Sequence, residues 1–164
     1  MSCETIHKSD RPGWPAPNLA SDAAAREGQS WRHARAALTG DSLHRAAAEA
    51  ALVPLMPLAR TTPRFTGWAW ATAVAHLAGP AQVAIALPRD APPAEAVALH
   101  AAALRSTSPG LVVAVGGPGD SAVPLIADRP PVGGLPTAYP CRGFVCDLPV
   151  TTADDLRRAL GDGP

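Results

Sequence analysis

Gly79-Pro80-Ala81-Gln82-Val83-Ala84-Ile85-Ala86-Leu87 is where the pattern of this 164-residue chain changes. Upstream, apolar residues recur every three or four positions. From Gln82 to Leu87 they run almost without a break, as in a strand buried on both faces. Ala94 to Arg105 then returns to helical spacing, with Val97, Ala101 and Leu104 inward, and Leu111 to Val115 is a second apolar run. Strand, helix, strand over this length predicts a βαβ unit, parallel and right-handed. Further on, strand-like residues gather around Tyr139, Phe144 and Val145. Pro140 removes one ladder donor there and favours an edge strand. Thr151 or Thr152 caps a closing helix that carries Asp154 and Asp155 early and Arg157 and Arg158 late, the charge order a helix dipole favours.

Before Gly79 the chain reads as helical. Ala24, Gly28, Trp31, Arg35 and Leu38 share one face of a helix from Leu19 to Leu38. Thr39-Gly40-Asp41 breaks it: Gly40 suits the left-handed end of one helix and Asp41 or Ser42 the N-cap of the next, so an αα-hairpin is expected. The second helix, from Ser42, ends or kinks at Pro54 or Pro57. A third, Pro63 to Ala78, is apolar on most sides around Trp68, Trp70, Val74 and Leu77, which predicts burial between neighbours. Residues 1–17, broken by Pro12, Gly13, Pro15 and Pro17, read as a disordered tail. Residues 18–79 then form a helical-hairpin segment and residues 80–164 a small α/β segment with a C-terminal helix. The fold class expected is α+β, or mixed: helical hairpins followed by a small, mostly parallel α/β layer.

Composition narrows the function. The chain is 47% hydrophobic but only 4% aromatic, and much of the apolar content is alanine, which buries little area and predicts a thin core. Fourteen basic residues balance fourteen acidic ones, with no cluster larger than Arg157-Arg158, so neither nucleic acid nor an anionic membrane is an expected partner. MSCETIHKSDRPGWP lacks the apolar core of a signal peptide. The most apolar stretch, Trp68 to Leu87, is interrupted by His76, Gly79-Pro80 and Gln82 and does not read as a membrane span. Three cysteines without an export signal suggest reduced thiols in a cytoplasm.

The chemistry-bearing candidates are few. Cys141 and Cys146 in CRGFVC form a candidate redox pair. In a continuous strand, positions five apart lie roughly 16 Å from each other on opposite faces. Only a turn at Arg142-Gly143 brings the two Cα atoms to the roughly 5.5 Å that a disulfide needs. Separate structural thiols are the first reading, a reversible disulfide the second and half a metal site the third. Zinc wants four ligands, for which Cys3 and His7 stand at an unorthodox spacing, so no metal and no cofactor is expected. Gly116-Gly117-Pro118-Gly119-Asp120 follows a strand, as phosphate loops do. It has neither a GxGxxG order nor a Gly-Lys-Ser/Thr ending nor a nearby cation, so it reads as a connection rather than a nucleotide site. His33, His44, His76 and His100 lie on helices without a triad or paired-carboxylate pattern. His76 reads as a hydrogen-bonded core residue. Ser30, Ser42 and Ser121 have no nucleophile-elbow context. Trp14, Trp31, Trp68 and Trp70 could stack on sugar rings, but packing roles come first. No catalytic residue is assigned.

Leu125 to Leu160, LIADRPPVGGLPTAYPCRGFVCDLPVTTADDLRRAL, resembles the C-terminus of the spermatogenesis-associated, thioredoxin-domain-containing family, the YyaL-like proteins. Pro136-Thr137-Ala138-Tyr139, Cys141, Phe144, Cys146 and Pro149-Val150-Thr151 fall in matching places, with Gly143 where relatives carry Asn. Ala37 to Asp41 and Gly79 to Val83 resemble that family's last helical hairpins and the strand after them. The resemblance implies the last helices of an (α/α)6 barrel of the six-hairpin glycosidase type plus an appended α/β layer. The thioredoxin domain, its Cys-x-x-Cys and most of the barrel have no counterpart here. It therefore implies a C-terminal portion without independent catalysis. One alternative is part of a carbohydrate-acting, glycosidase- or epimerase-like enzyme completed by another chain, with the carbohydrate unspecified. Another is a small thiol redox protein using Cys141 and Cys146. A partial barrel leaves helical faces unburied, so a protein partner or self-association around Trp68 and Trp70 is expected.

Overall fold

A computed structural model describes residues 32–90, 93–117, 119–120 and 122–162. The expectations for the tail, for the helix before residue 32, and for Cys3, His7, Trp14, Trp31, Ser30 and Ser121 lie outside those residues. Residues 32–39 form α1. The turn then behaves as its residues suggest: Gly40 has φ +76°, its N–H reaches the Ala36 carbonyl at 2.8 Å, and Asp41 caps α2 (Ser42–Leu52) by accepting from the Leu43 N–H at 2.8 Å. α2 stops before Pro54. That proline is the N-cap of α3 (Leu55–Thr61), whose first turn holds Pro57, where a missing N–H leaves no helical bond unmade. The single helix expected over Pro63 to Ala78 is divided into a 3-10 turn, Pro63–Phe65, and α4, Gly67–Ala78.

The sheet is built on β1 (Ala81–Ala86), all six residues of which are buried. α5 (Pro93–Leu104) carries the chain back to β2 (Val112–Gly116), parallel to β1 with Ala84 opposite Ala114, as the βαβ reading predicts. β3 (Thr137–Arg142) and β4 (Val145–Cys146) then pair antiparallel, giving the order β2-β1-β3-β4. The class is α+β, and the layer is mixed rather than mostly parallel. Only one pairing is parallel: β3 runs antiparallel to β1, and the tight reversal after β3 makes the β3–β4 pair antiparallel as well.

Two further expectations are corrected. Pro140 lies in the interior strand β3, not at an edge. Ala138 exchanges both backbone bonds with Val150, so the same side of Pro140, two residues on, faces the 146–150 segment. There its carbonyl accepts from the Asp147 N–H at 2.9 Å and its missing donor costs the β1 ladder nothing. In α5, Val97 and Leu104 point outward at 65% and 66% exposure, while Leu99, Ala102 and Ala103 are buried. With apolar residues on most sides the helix has a weak period, and the face that meets the sheet is that of Leu99, Ala102 and Ala103.

Each face of the sheet has its own core. Val83, Ile85 and Ala138 pack with Leu99, Ala102 and Ala103 of α5 and with Leu156 of α6 (Ala153–Leu160). Ala84, Ala86, Val112, Ala114 and Cys141 pack with Ala37 of α1 and with Leu125 and Ile126. α6 is capped by Thr152, whose Oγ1 accepts from the Asp155 N–H at 3.2 Å, and its Asp154–Arg157 and Asp155–Arg158 pairs follow the order read in the sequence. Gln82, wholly buried, ties the two halves together. Its Nε2 donates to the Ala37 carbonyl and its Oε1 accepts from the Phe144 N–H at 2.7 Å. No helix among the described residues is long and apolar enough to cross a membrane.

Candidate functional site

β3 and β4 are joined by only two residues, Gly143 and Phe144, with φ of +57° and +69°. Two positive φ values are what a type I′ hairpin turn requires, and glycine or asparagine at the first position supplies one without strain. The reversal comes one residue later than Arg142-Gly143 and sets Cys141 directly opposite Cys146, with Cα atoms 3.8 Å apart and a 2.07 Å S–S bond. Separate thiols are thereby corrected to a bonded pair: the 16 Å argument holds for a continuous strand, and this one turns back. Phe144 keeps its unfavourable backbone because it is held twice, by its N–H bond to Gln82 and by its ring, which lies over Gly40.

The two sulfurs differ in surroundings. Cys141 is 6% exposed inside the core, whereas Cys146 is half-buried on the short outer strand. Arg129 Nη2 donates to Cys146 Sγ at 3.1 Å, and its Nη1 is anchored on the Ala127 carbonyl at 3.2 Å. Arg142 is committed elsewhere, donating to the Ala78 and Gly79 carbonyls at the end of α4. Arg129 carried no motif by which the sequence could identify it, since its partner lies 17 residues away.

A second cluster joins α1, α2 and α4. His76 Nε2 lies 3.0 Å from a Glu49 oxygen, and the His33 and His76 rings meet edge-on with centroids 6.3 Å apart. His33 is 8% exposed and its Nε2 has no hydrogen-bond partner. Burial, followed by the charges of His76 and Arg45, holds its pKa below the ordinary value. Two clefts border it, one of about 360 Å³ reaching Trp68, Thr72 and Ser108, the other of about 170 Å³ reaching Arg45, Glu49 and His76. Among the described residues Glu49 is the sole carboxylate lining either cleft, so these residues assemble the carboxylate pair of a glycosidase in neither.

The remaining candidates scatter. In the loop after β2, the Asp120 carboxylate closes a local turn onto the Ala122 N–H and lies against Gly116, which puts negative charge where a phosphate would sit. His44 lies 3.7 Å from Asp41 at the start of α2, and His100 is exposed on α5. Ser42 is exposed at the first position of α2. Among the described residues no three His, Cys, Asp or Glu side chains gather as a metal site.

Apart from Leu52 of α2, which is buried, the helices from α2 to α4 pack small residues inward and large ones outward. Ala48, Ala59, Ala69, Thr72 and Ala75 are buried, whereas Phe65, Trp68, Trp70, Val74 and Leu77 are exposed, Trp68 to 57% and Leu77 to 86%. This overturns the expected burial of α4 between neighbours. Trp70 retains one anchor, an Nε1 bond to the Ala59 carbonyl at 3.4 Å. Comparison with family models, with curated proteins and with solved structures found no match to this chain.

Proposed function

We propose that the chain is a docking module without catalysis of its own: a helical segment and an α/β layer that complete, or are completed by, the helices of a larger protein organised like the thioredoxin-domain, (α/α)6-barrel family. The observation that carries this reading is the inverted packing of α3 and α4. A helical layer of a barrel has neighbours on both sides, and its second face would carry the large apolar residues displayed here by Phe65, Trp68, Val74 and Leu77. The occupant is an apolar helical surface, and the compartment a cytoplasm. A combined Phe65→Ser, Trp68→Gln and Leu77→Gln variant tests it. The native chain should bind an apolar dye and associate, while the variant should lose both properties at unchanged melting temperature, because these side chains are exposed in the isolated chain. Weak dye binding by the native chain, or a variant that melts early, contradicts the reading.

A second reading, thiol redox chemistry at Cys141 and Cys146, is favoured by the bond between them. In a cytoplasm a disulfide is usually transient and chemical rather than a permanent staple. Cycling the chain through defined thiol buffers tests it. The pair should pass reversibly between dithiol and disulfide, and a pair that stays fully reduced under oxidising buffer contradicts the reading.

A further inference from the structure

The cysteine hairpin is asymmetric in exposure and in charge, and that asymmetry assigns roles. Resting on the thiol reading above, we propose that the hairpin is a dithiol–disulfide exchange site: Cys146 attacks, Cys141 resolves, Arg129 stabilises the Cys146 thiolate, and the substrate is a low-molecular-weight disulfide. Cys146 lies half-buried on β4, the two-residue outer strand, where an incoming sulfur meets no further strand. Cys141 is 6% exposed and packed within the core.

The charge distribution points the same way. A thiolate is the nucleophile, and a guanidinium that donates to it raises the thiolate fraction at neutral pH. Arg129 donates to Cys146 Sγ at 3.1 Å and is held on the Ala127 carbonyl, so its position does not depend on the sulfur. Its neighbour in sequence, Asp128, and the residue after Cys146, Asp147, are both exposed, where solvent screens them. Arg142, beside Cys141 in the chain, spends its Nη1 on α4 carbonyls.

The exchange balances. The Cys146 thiolate attacks one sulfur of the substrate, forming a Cys146–substrate disulfide as the substrate's S–S bond breaks and one thiolate leaves. Cys141 gives its proton to solvent and attacks Cys146 Sγ. The Cys141–Cys146 bond forms, the second substrate thiolate leaves, and both released thiolates take protons from water according to their pKa. Two electrons have passed from the protein dithiol to the substrate, and a dithiol reductant restores the starting state.

The test uses the full chain with Cys3→Ser, reduced, mixed with glutathione disulfide and followed by mass spectrometry. With Cys141→Ser the glutathione adduct should form on Cys146 about tenfold faster than on Cys141 in the Cys146→Ser chain. Arg129→Gln in the Cys141→Ser chain should slow that adduct by about threefold, since a one-unit rise in thiolate pKa cuts the thiolate fraction up to about tenfold and the greater nucleophilicity of the more basic thiolate returns about threefold. Arg129→Lys, which keeps the charge, should recover most of it. Alkylation of the reduced chain with both cysteines present supplies the comparison without altering the hairpin, and Cys146 should label first. Equal labelling, faster reaction at Cys141, or indifference to Arg129→Gln overturns the assigned roles while leaving the pair a disulfide. Failure of the two cysteines to bond at all overturns the thiol reading with them.

Discussion

Gln82 shows how much one buried polar side chain can hold. It occupies a strand position where every neighbour is apolar, and it satisfies the last turn of α1 through the Ala37 carbonyl and the strained hairpin tip through the Phe144 N–H. Gln82→Leu leaves two backbone groups buried without partners, so stability should fall by about 2–4 kcal/mol, read from the denaturant midpoint. Gly110 is a second such position. It has φ +66°, and an added Cβ would stand 2.5 Å from that of Ala75, so Gly110→Ala should destabilise by at least about 1 kcal/mol. Gly143→Asn should change little, since φ is +57° there with no atom within 4 Å of the added Cβ and asparagine accepts the type I′ position. Gln82 was legible as an interruption of an apolar run, but its partners, 45 and 62 residues away, were not. Only the fold brings them together.

At the scale of elements, the strong local punctuation was readable and the weak periodicity was not. Gly40-Asp41, Pro54, Gly79-Pro80 and Thr152 each marked a boundary because a positive φ, a missing N–H or a side-chain cap acts within a few residues. The inward face of α5 was misread because apolar residues lie on most sides of the helix, so its period does not say which of them meets the sheet: Leu99 does, Val97 and Leu104 do not. The hairpin was only the second reading, and its turn was placed one residue early, because Phe144 is not a turn residue. Its positive φ is sustained by tertiary contacts that no local rule contains. His33 adds a pH test of the α1–α4 contact. Its folded-state pKa lies below the unfolded value, so the unfolded chain takes up the proton first. Stability is full above about pH 6.5 and is lost as pH falls from there through the lower, folded-state pKa. His33→Gln should flatten that dependence in thermal melts between pH 8 and 5, and an unchanged slope would contradict the burial argument.

For the whole molecule, the two halves solve the packing problem differently. The sheet is covered on both faces, by α5 and α6 on one side and by α1 with Leu125 and Ile126 on the other. The helical half buries alanine, threonine and Leu52 and leaves Phe65, Trp68, Trp70 and Leu77 in water. The α+β class was legible from the change of period at Gly79. The inverted helical packing was not, because a sequence of apolar residues on most sides of a helix does not say which side meets a neighbour. The sealed sheet and unsealed helices are what make docking the central claim. Light scattering on the purified chain across a hundredfold concentration range tests it most directly. The account expects a mass above that of the monomer, rising with concentration and falling back to one chain in the Phe65→Ser, Trp68→Gln, Leu77→Gln variant. A monodisperse monomer throughout, with one sharp thermal transition, would contradict it.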